Sequence, residues 1–189
     1  MRLQVLSDLH LEFHGESDIP QTEADLILLA GDIHEGLQGV SWAVKQSERL
    51  DKPVLYVFGN HEFYNHQFPS LLNQAMSMVI GSKVHILERS RFVLQGIRFI
   101  GCTLWTDFLL YGREHHAICC EIAKTKMPDY EMITKPDGVG IKPEDTAWLH
   151  ARSKKWLVDE LEKPWKGRTV IITHHAPTLQ ANHPEHGND

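Results

Sequence analysis

A chain of 189 residues with 42% hydrophobic side chains is long enough for one domain with a substantial core. Its 19 basic and 25 acidic residues give a net charge of −6 without any Lys/Arg-rich run, so charge gives no case for a nucleic-acid partner. No apolar run is long enough to span a bilayer, and the opening Met1-Arg2-Leu3-Gln4 shows no signal peptide, so no membrane partner is expected. The three cysteines, Cys102, Cys119 and Cys120, lack zinc-ligand spacing and read as reduced thiols of a cytoplasmic protein. Histidine is the outlier, with 13 residues, and raises a metal question that composition alone does not answer.

In chain order, residues 3–6 form a short apolar strand ending in Ser7-Asp8-Leu9-His10. Asp8 and His10 are two apart, so extended backbone would point both to one side. A Gly- and Pro-containing loop leads to a second apolar strand over 24–30, closed by Gly31-Asp32. Residues 36–50 carry apolar positions at helical spacing, including Leu37, Val40, Ala43, Val44 and Leu50. After Pro53 the run Val54-Leu55-Tyr56-Val57-Phe58 reads as a buried strand of a parallel sheet. Gly59 is expected to turn the backbone sharply, so that Asn60 and His61 project from the strand's carboxyl end, the edge where open α/β sheets bind ligands. Strand, connection, strand, helix, strand is a parallel-sheet plan.

Pro69 opens a second amphipathic helix, with Leu71, Leu72, Ala75, Met76, Val79 and Ile80, that Gly81 closes. Residues 84–87, 91–95 and 97–104 are short β-type runs, with Gly96 at a hairpin turn. A helix over 113–126 precedes an exposed loop at 135–143, which is read as a lid or an insertion. Residues 146–163 form a helix whose apolar side is assigned to Trp148, Leu149, Trp156, Leu157 and Leu161. The last strand, 168–173, ends in His174-His175. No repeat or linker divides the chain, and residues 1–189 read as one domain.

The polar residues at these strand ends are Asp8, His10, Asp32, Asn60, His61, His174 and His175. Carboxylates, imidazoles and an amide oxygen without a thiolate suit divalent Mn, Fe or Zn. The set exceeds what one tetrahedral ion needs, and two cations about 3.5–4 Å apart sharing one carboxylate would use it. A central strand should supply that carboxylate, and Asp32 fits. Two bridged cations turn a bridging water into hydroxide near neutral pH and offset the charge of a phosphoryl group under attack. His61, one residue past Asn60, is placed to protonate the leaving group as general acid. Hydrolysis of a phosphodiester or phosphomonoester is the expected reaction. The Asn60-His61 pair and the lack of an arginine clamp favour a diester.

Asp8-x-His10, Gly31-Asp32, Gly59-Asn60-His61-Glu62 and Thr173-His174-His175, in that order, resemble the calcineurin-like metallophosphoesterase superfamily. The stretch from Gly101 to Phe108 resembles a branch of small bacterial members. The resemblance implies an α/β (α+β) fold, a two-sheet β-sandwich flanked by helices. It implies that Asp8, His10 and Asp32 hold one ion, that Asp32, Asn60 and His174 hold the second, and that His61 is the acid. One departure stands out: the family's later Gly-His-x-His motif does not occur here. The expectation is a C-terminally incomplete domain missing its last strands, with under-coordinated sites and an unpaired sheet edge. His183 and His186 are the alternative stand-in ligands. A non-catalytic or metal-binding fragment of the same fold is the alternative function.

Among the remaining candidates, His175 is assigned to a supporting or substrate-facing role and His34 to the cleft wall. His14, His66, His85, His115, His116 and His150 match no motif, Asp107 reads as a helix cap, and the five tryptophans read as core or groove walls.

Overall fold

The computed structural model describes residues 1–15 and 17–181. Four strands, β1 (Leu3–Leu6), β2 (Leu26–Ala30), β3 (Val54–Val57) and β4 (Val84–Ile86), form one parallel sheet in that order. A second sheet contains β5 (Ser90–Leu94), antiparallel to β6 (Ile97–Cys102), which pairs in parallel with β7 (Thr169–Thr173). The α-helices are α1 (Leu11–His14), α2 (Gln38–Leu50), α3 (Ser70–Met78), α4 (His116–Lys126), α5 (Asp129–Met132) and α6 (Pro143–Glu162). This is a mixed α/β fold of two sheets flanked by helices.

Strand periodicity explains the layering. In β2 and β3, Leu26, Leu28, Leu55 and Val57 meet Phe99 of β6 and Ile172 of β7, and these residues form the core between the sheets. The alternate residues Ile27, Leu29, Val54 and Tyr56 face the other way, into the core built with Val40, Trp42 and Ala43 of α2 and Leu71, Leu72 and Ala75 of α3. Strands covered on both faces have no polar side, so their sequence is continuously apolar. Gly101 of β6 sits tight against the first sheet, where an added Cβ would crowd Val57 and Leu87.

Gln95 and Gly96 both take positive φ, which suits the tight hairpin between β5 and β6. The stretch expected as an exposed lid or insertion, 135–143, is a turn with residues 136–139 exposed. Lys135 N–H bonds to the Val139 carbonyl, Ile141 N–H to the Ile133 carbonyl, and Ile141 is buried. The apolar side expected for the long helix needs correction. Leu149 is buried, but Trp148 is 57% exposed and Leu161 is exposed too. The buried face of α6 carries Thr146, Leu149, Ser153 and Glu160. Its polar members each have a partner: the Thr146 and Tyr130 hydroxyls meet at 3.1 Å, Ser153 Oγ lies 3.5 Å from Arg89 Nη1, and Glu160 pairs with Arg91 and Lys163, while the Glu160 carbonyl accepts from Nη1 of the buried Arg98 of β6 (2.8 Å). Trp42 and Trp105 are core residues, whereas Trp148 and Trp165 are exposed. No helix among the described residues is long and apolar enough to cross a membrane.

Candidate metal centre

The carboxyl ends of β1, β2, β3 and β7 meet at one rim, although β7 belongs to the other sheet. The loop after β1 is laced to the loop after β2: Asp8 N–H bonds to the Gly31 carbonyl, His10 N–H to the Asp32 carbonyl and Leu11 N–H to the Ile33 carbonyl, each at 3.0 Å. Asp8, His10 and Asp32 all take positive φ, between 45° and 54°. Asp8 and His10 therefore share a side because each adopts a left-handed backbone, not through the extended spacing expected from sequence. Non-glycine residues held there are strained, and such strain collects at functional sites.

Asp32, 5% exposed, is the hub. Its Oδ1 accepts the His61 backbone N–H (3.0 Å) and lies 3.5 Å from His174 Nε2. Its Oδ2 faces His10 Nε2 at 3.9 Å and His61 Nε2 at 4.0 Å. One carboxylate thus presents an oxygen to each of two groups of donors. Asn60 Oδ1 stands 3.2 Å from His174 Nε2. Asp8, His10 and Asp32 can bring ligand atoms within 4.8 Å of one another, as can His10, Glu12 and His61.

The donor chemistry fits cations. His174 Nδ1 lies 3.0 Å from the Ala30 carbonyl, which can only accept, so that nitrogen carries the proton. In the neutral ring Nε2 then aims a lone pair toward Asn60 Oδ1 and Asp32 Oδ1. Asn60 is oriented the same way, since its Nδ2 donates to Tyr64 Oη (3.1 Å), which donates to Asp129 Oδ2 (3.2 Å). Three acceptor atoms facing one another is an arrangement that a cation relieves. His174 also covers the glycines beneath it. A Cβ on Gly31 or Gly59 would collide with its ring, and one on Gly59 would also strike Asp32 Oδ1. Gly31 has a φ of 95°, but Gly59 has no positive φ, so close approach rather than the expected turn requires the second glycine.

Glu62 is fully buried and holds the loops together. Its Oε1 accepts from Ile33 N–H and the Tyr56 hydroxyl (both 2.7 Å), and its Oε2 from Asp32 N–H (3.0 Å) and Gly59 N–H (2.6 Å). Burial, with the Asp32 charge nearby, pushes its carboxyl above the usual range. Glu12 behaves oppositely: burial alone would raise it, but its own backbone N–H and the His61 and His10 imidazoles outweigh that and hold it low. His61 stacks on the Tyr64 ring, centroids 4.2 Å apart.

His175 packs against Trp105 and places Nδ1 3.2 Å from the Thr103 carbonyl; burial, reinforced by His174, lowers it to about 4. It lines a cavity of about 390 Å³ with Trp105, Asp107, His150 and Lys154. His34 bonds the Glu35 carbonyl through Nδ1 and belongs to neither cation group. Asp107 accepts from Leu109 N–H in a turn, rather than capping a helix, and lies 3.6 Å from His150 Nε2. His183 and His186 lie outside the described residues. Sequence reasoning missed Glu12, Tyr64 and Asp129 and left Glu62 without a role. Glu12 and Glu62 sit inside the D-x-H-x-E and G-N-H-E runs, whereas Tyr64 and Asp129 are 65 positions apart and carry no local signal.

An uncharacterized protein, L509, of Acanthamoeba polyphaga mimivirus is 27% identical over 205 residues, covering 95% of this chain and 69% of that protein. The [acyl-carrier-protein] phosphodiesterase PptH of Mycobacterium tuberculosis is 25% identical over 197 residues, covering 91% of this chain but only 58% of its own length. The crystal structure of the phosphopantetheinyl hydrolase PptH from that organism shares the fold, with a TM-score of 0.68 and 22% identity over 95% of this chain and 70% of that one. The family model of calcineurin-like phosphoesterases matches residues 1–189 throughout, and the protein belongs to that family.

Proposed function

We propose that the chain hydrolyses a phosphoester with the help of two divalent cations, and that His61 is its general acid. The observation that carries the reading is the buried Asp32 carboxylate, with Oδ1 toward His174, whose Nε2 also meets Asn60 Oδ1, and Oδ2 toward His10 and His61. Asp8, His10 and Asp32 would hold one cation, and Asp32, Asn60 and His174 the other. Oxygen and imidazole donors suit Mn, Fe or Zn. Cations bound there supply Lewis acidity, lowering the pKa of water and offsetting phosphoryl charge. The chain supplies the rest. Asp32 fixes the loop after β3 by accepting His61 N–H, and His61 Nε2 is directed to the Oδ2 side, where a departing oxygen can take its proton. Tyr64 supports both Asn60 and the His61 ring.

A diester is the favoured substrate class, and the name of the mycobacterial relative, a phosphodiesterase, supports it. The unpaired Cys102, Cys119 and Cys120 suit a reducing compartment such as the cytoplasm. The test is hydrolysis of bis(p-nitrophenyl) phosphate with added Mn²⁺, against Asp32→Asn prepared identically and shown to be folded. Wild-type turnover is expected to exceed the variant's by at least the roughly 10–100-fold that loss of a group supporting a metal site costs. Equal background rates in both folded proteins would overturn the reading.

A further inference from the structure

Glu12 lies between the two imidazoles that the proposed chemistry needs for different purposes. His61 Nδ1 is 3.0 Å and His10 Nδ1 3.2 Å from the same oxygen, Glu12 Oε1. The two rings meet edge to face, with centroids 4.4 Å apart. Glu12 occupies the first turn of the short α1, next to the left-handed His10, and its side chain is 9% exposed. Its second oxygen, Oε2, is buried without a hydrogen-bond partner among the described residues. A buried acceptor left unpaired is costly and rare, so packing alone does not account for this carboxylate.

We infer that Glu12 is a positioning residue that holds His10 and His61 through one oxygen and sets both Nε2 atoms toward Asp32. A carboxylate accepts only, so each Nδ1 is the protonated nitrogen. Neutral His10 is thereby left with an Nε2 lone pair for a cation, the arrangement in which a carboxylate orients a ligating histidine. His61 is aimed by the same oxygen, so that Nδ1–H stays on Glu12 and Nε2 is the nitrogen from which the imidazolium form delivers its proton. Cation holding and proton delivery then share one support, and a single substitution disturbs both. This inference rests on the phosphoesterase reading for its purpose, but the tautomers it assigns belong to the metal-free chain.

The experiment compares wild type with Glu12→Gln and Glu12→Ala. In metal-free protein, long-range ¹⁵N–¹H spectra over a pH series should show the neutral forms of His10 and His61 as Nδ1–H tautomers, so that the second proton of the His61 imidazolium is the one at Nε2. Glu12→Gln keeps an acceptor oxygen and should retain them, and Glu12→Ala should lose them. Unchanged tautomers in Glu12→Ala would overturn the inference. With Mn²⁺ present, Glu12→Ala should slow a phenyl diester far more than a p-nitrophenyl diester, because the poorer leaving group needs the acid. The extra loss should approach the factor of about 100 or more that general acids contribute, with Glu12→Gln intermediate. Equal losses on both substrates would overturn the aiming of His61. Loss of one bound Mn²⁺ from the stoichiometry, at saturating metal, would overturn it in favour of Glu12 as a direct ligand. Failure of wild type to hydrolyse either diester would sink the phosphoesterase reading and leave the tautomer result standing.

Discussion

Glu62 and Asp129 are both buried carboxyls beside the candidate centre, and they do different work. Glu62 accepts four hydrogen bonds, three from two loops and one from Tyr56 of β3, so no amide can replace it: one end of a glutamine side chain there would turn an NH2 toward donors. Glu62→Gln is therefore expected to cost about 2–4 kcal/mol, from one or two buried donors left unpaired. Chemical denaturation would measure this, and a near-neutral result would mean the loops do not depend on these bonds. Among the described residues Asp129 has only the Tyr64 hydroxyl as a side-chain partner, and burial dominates, pushing its carboxyl above the ordinary 3.8. The folded state therefore holds this proton more tightly than the unfolded state does. Stability is lost as pH rises through the interval between 3.8 and the raised value, and the penalty is complete above it. Asp129→Asn, which still accepts from Tyr64, should melt higher than wild type near neutral pH in chelator, with the difference closing as pH falls toward 3.8. A lower melting point at neutral pH would show that Tyr64 needs the charge.

At the scale of elements, legibility followed the strength of the local pattern. The strands β1, β2, β3 and β7 and their terminal motifs were readable because an apolar run stopped by a polar cluster is a short-range signal. The helix α6 was readable as a helix but not in its orientation. At about 100° per residue, Trp148 lies about 130° from the direction shared by Thr146, Leu149, Ser153 and Glu160, so it falls outside the inner side. The inner side is set by partners distant in sequence: Ser153 meets Arg89, Glu160 pairs with Arg91, and its carbonyl accepts from Arg98, whose guanidinium lies over Trp165 at 5.6 Å. The Asp129–Tyr64–Asn60 relay was illegible for the same reason, since only the folded chain brings α5 against the loop after β3. The helix admits a clean contrast. Leu149→Ala should destabilise by about 2–5 kcal/mol, as buried leucines do. Trp148→Ala should cost about 0.5–1 kcal/mol, mostly through its contact with Arg152 (4.6 Å). Denaturant midpoints at unchanged m-value would measure both, and equal costs would return Trp148 to the core.

On the scale of the molecule, the candidate centre is where the two sheets are tied. Between the sheets the core is apolar and non-directional, built from Leu26, Leu28, Leu55, Val57, Phe99 and Ile172. At the rim the link is directional: His174, leaving β7, bonds the Ala30 carbonyl of β2 and faces Asn60 and Asp32 from the other sheet. A cation at Asp32, Asn60 and His174 would therefore fasten sheet to sheet, whereas one at Asp8, His10 and Asp32 would fasten only neighbouring loops of the larger sheet. Mn²⁺ at about 100 times its dissociation constant should add about 2.7 kcal/mol, raising the melting temperature by about 5–10 °C for a chain of this size. Excess chelator should reverse the shift, and Asp32→Asn should show none. The two positions separate by amide exchange. In wild type, Mn²⁺ should slow exchange in β7 as well as in the loops after β1 and β2. In His174→Ala the slowing should persist in those loops and vanish from β7. Slowing of β7 in His174→Ala equal to that in wild type would mean the sheets are tied by their apolar core alone.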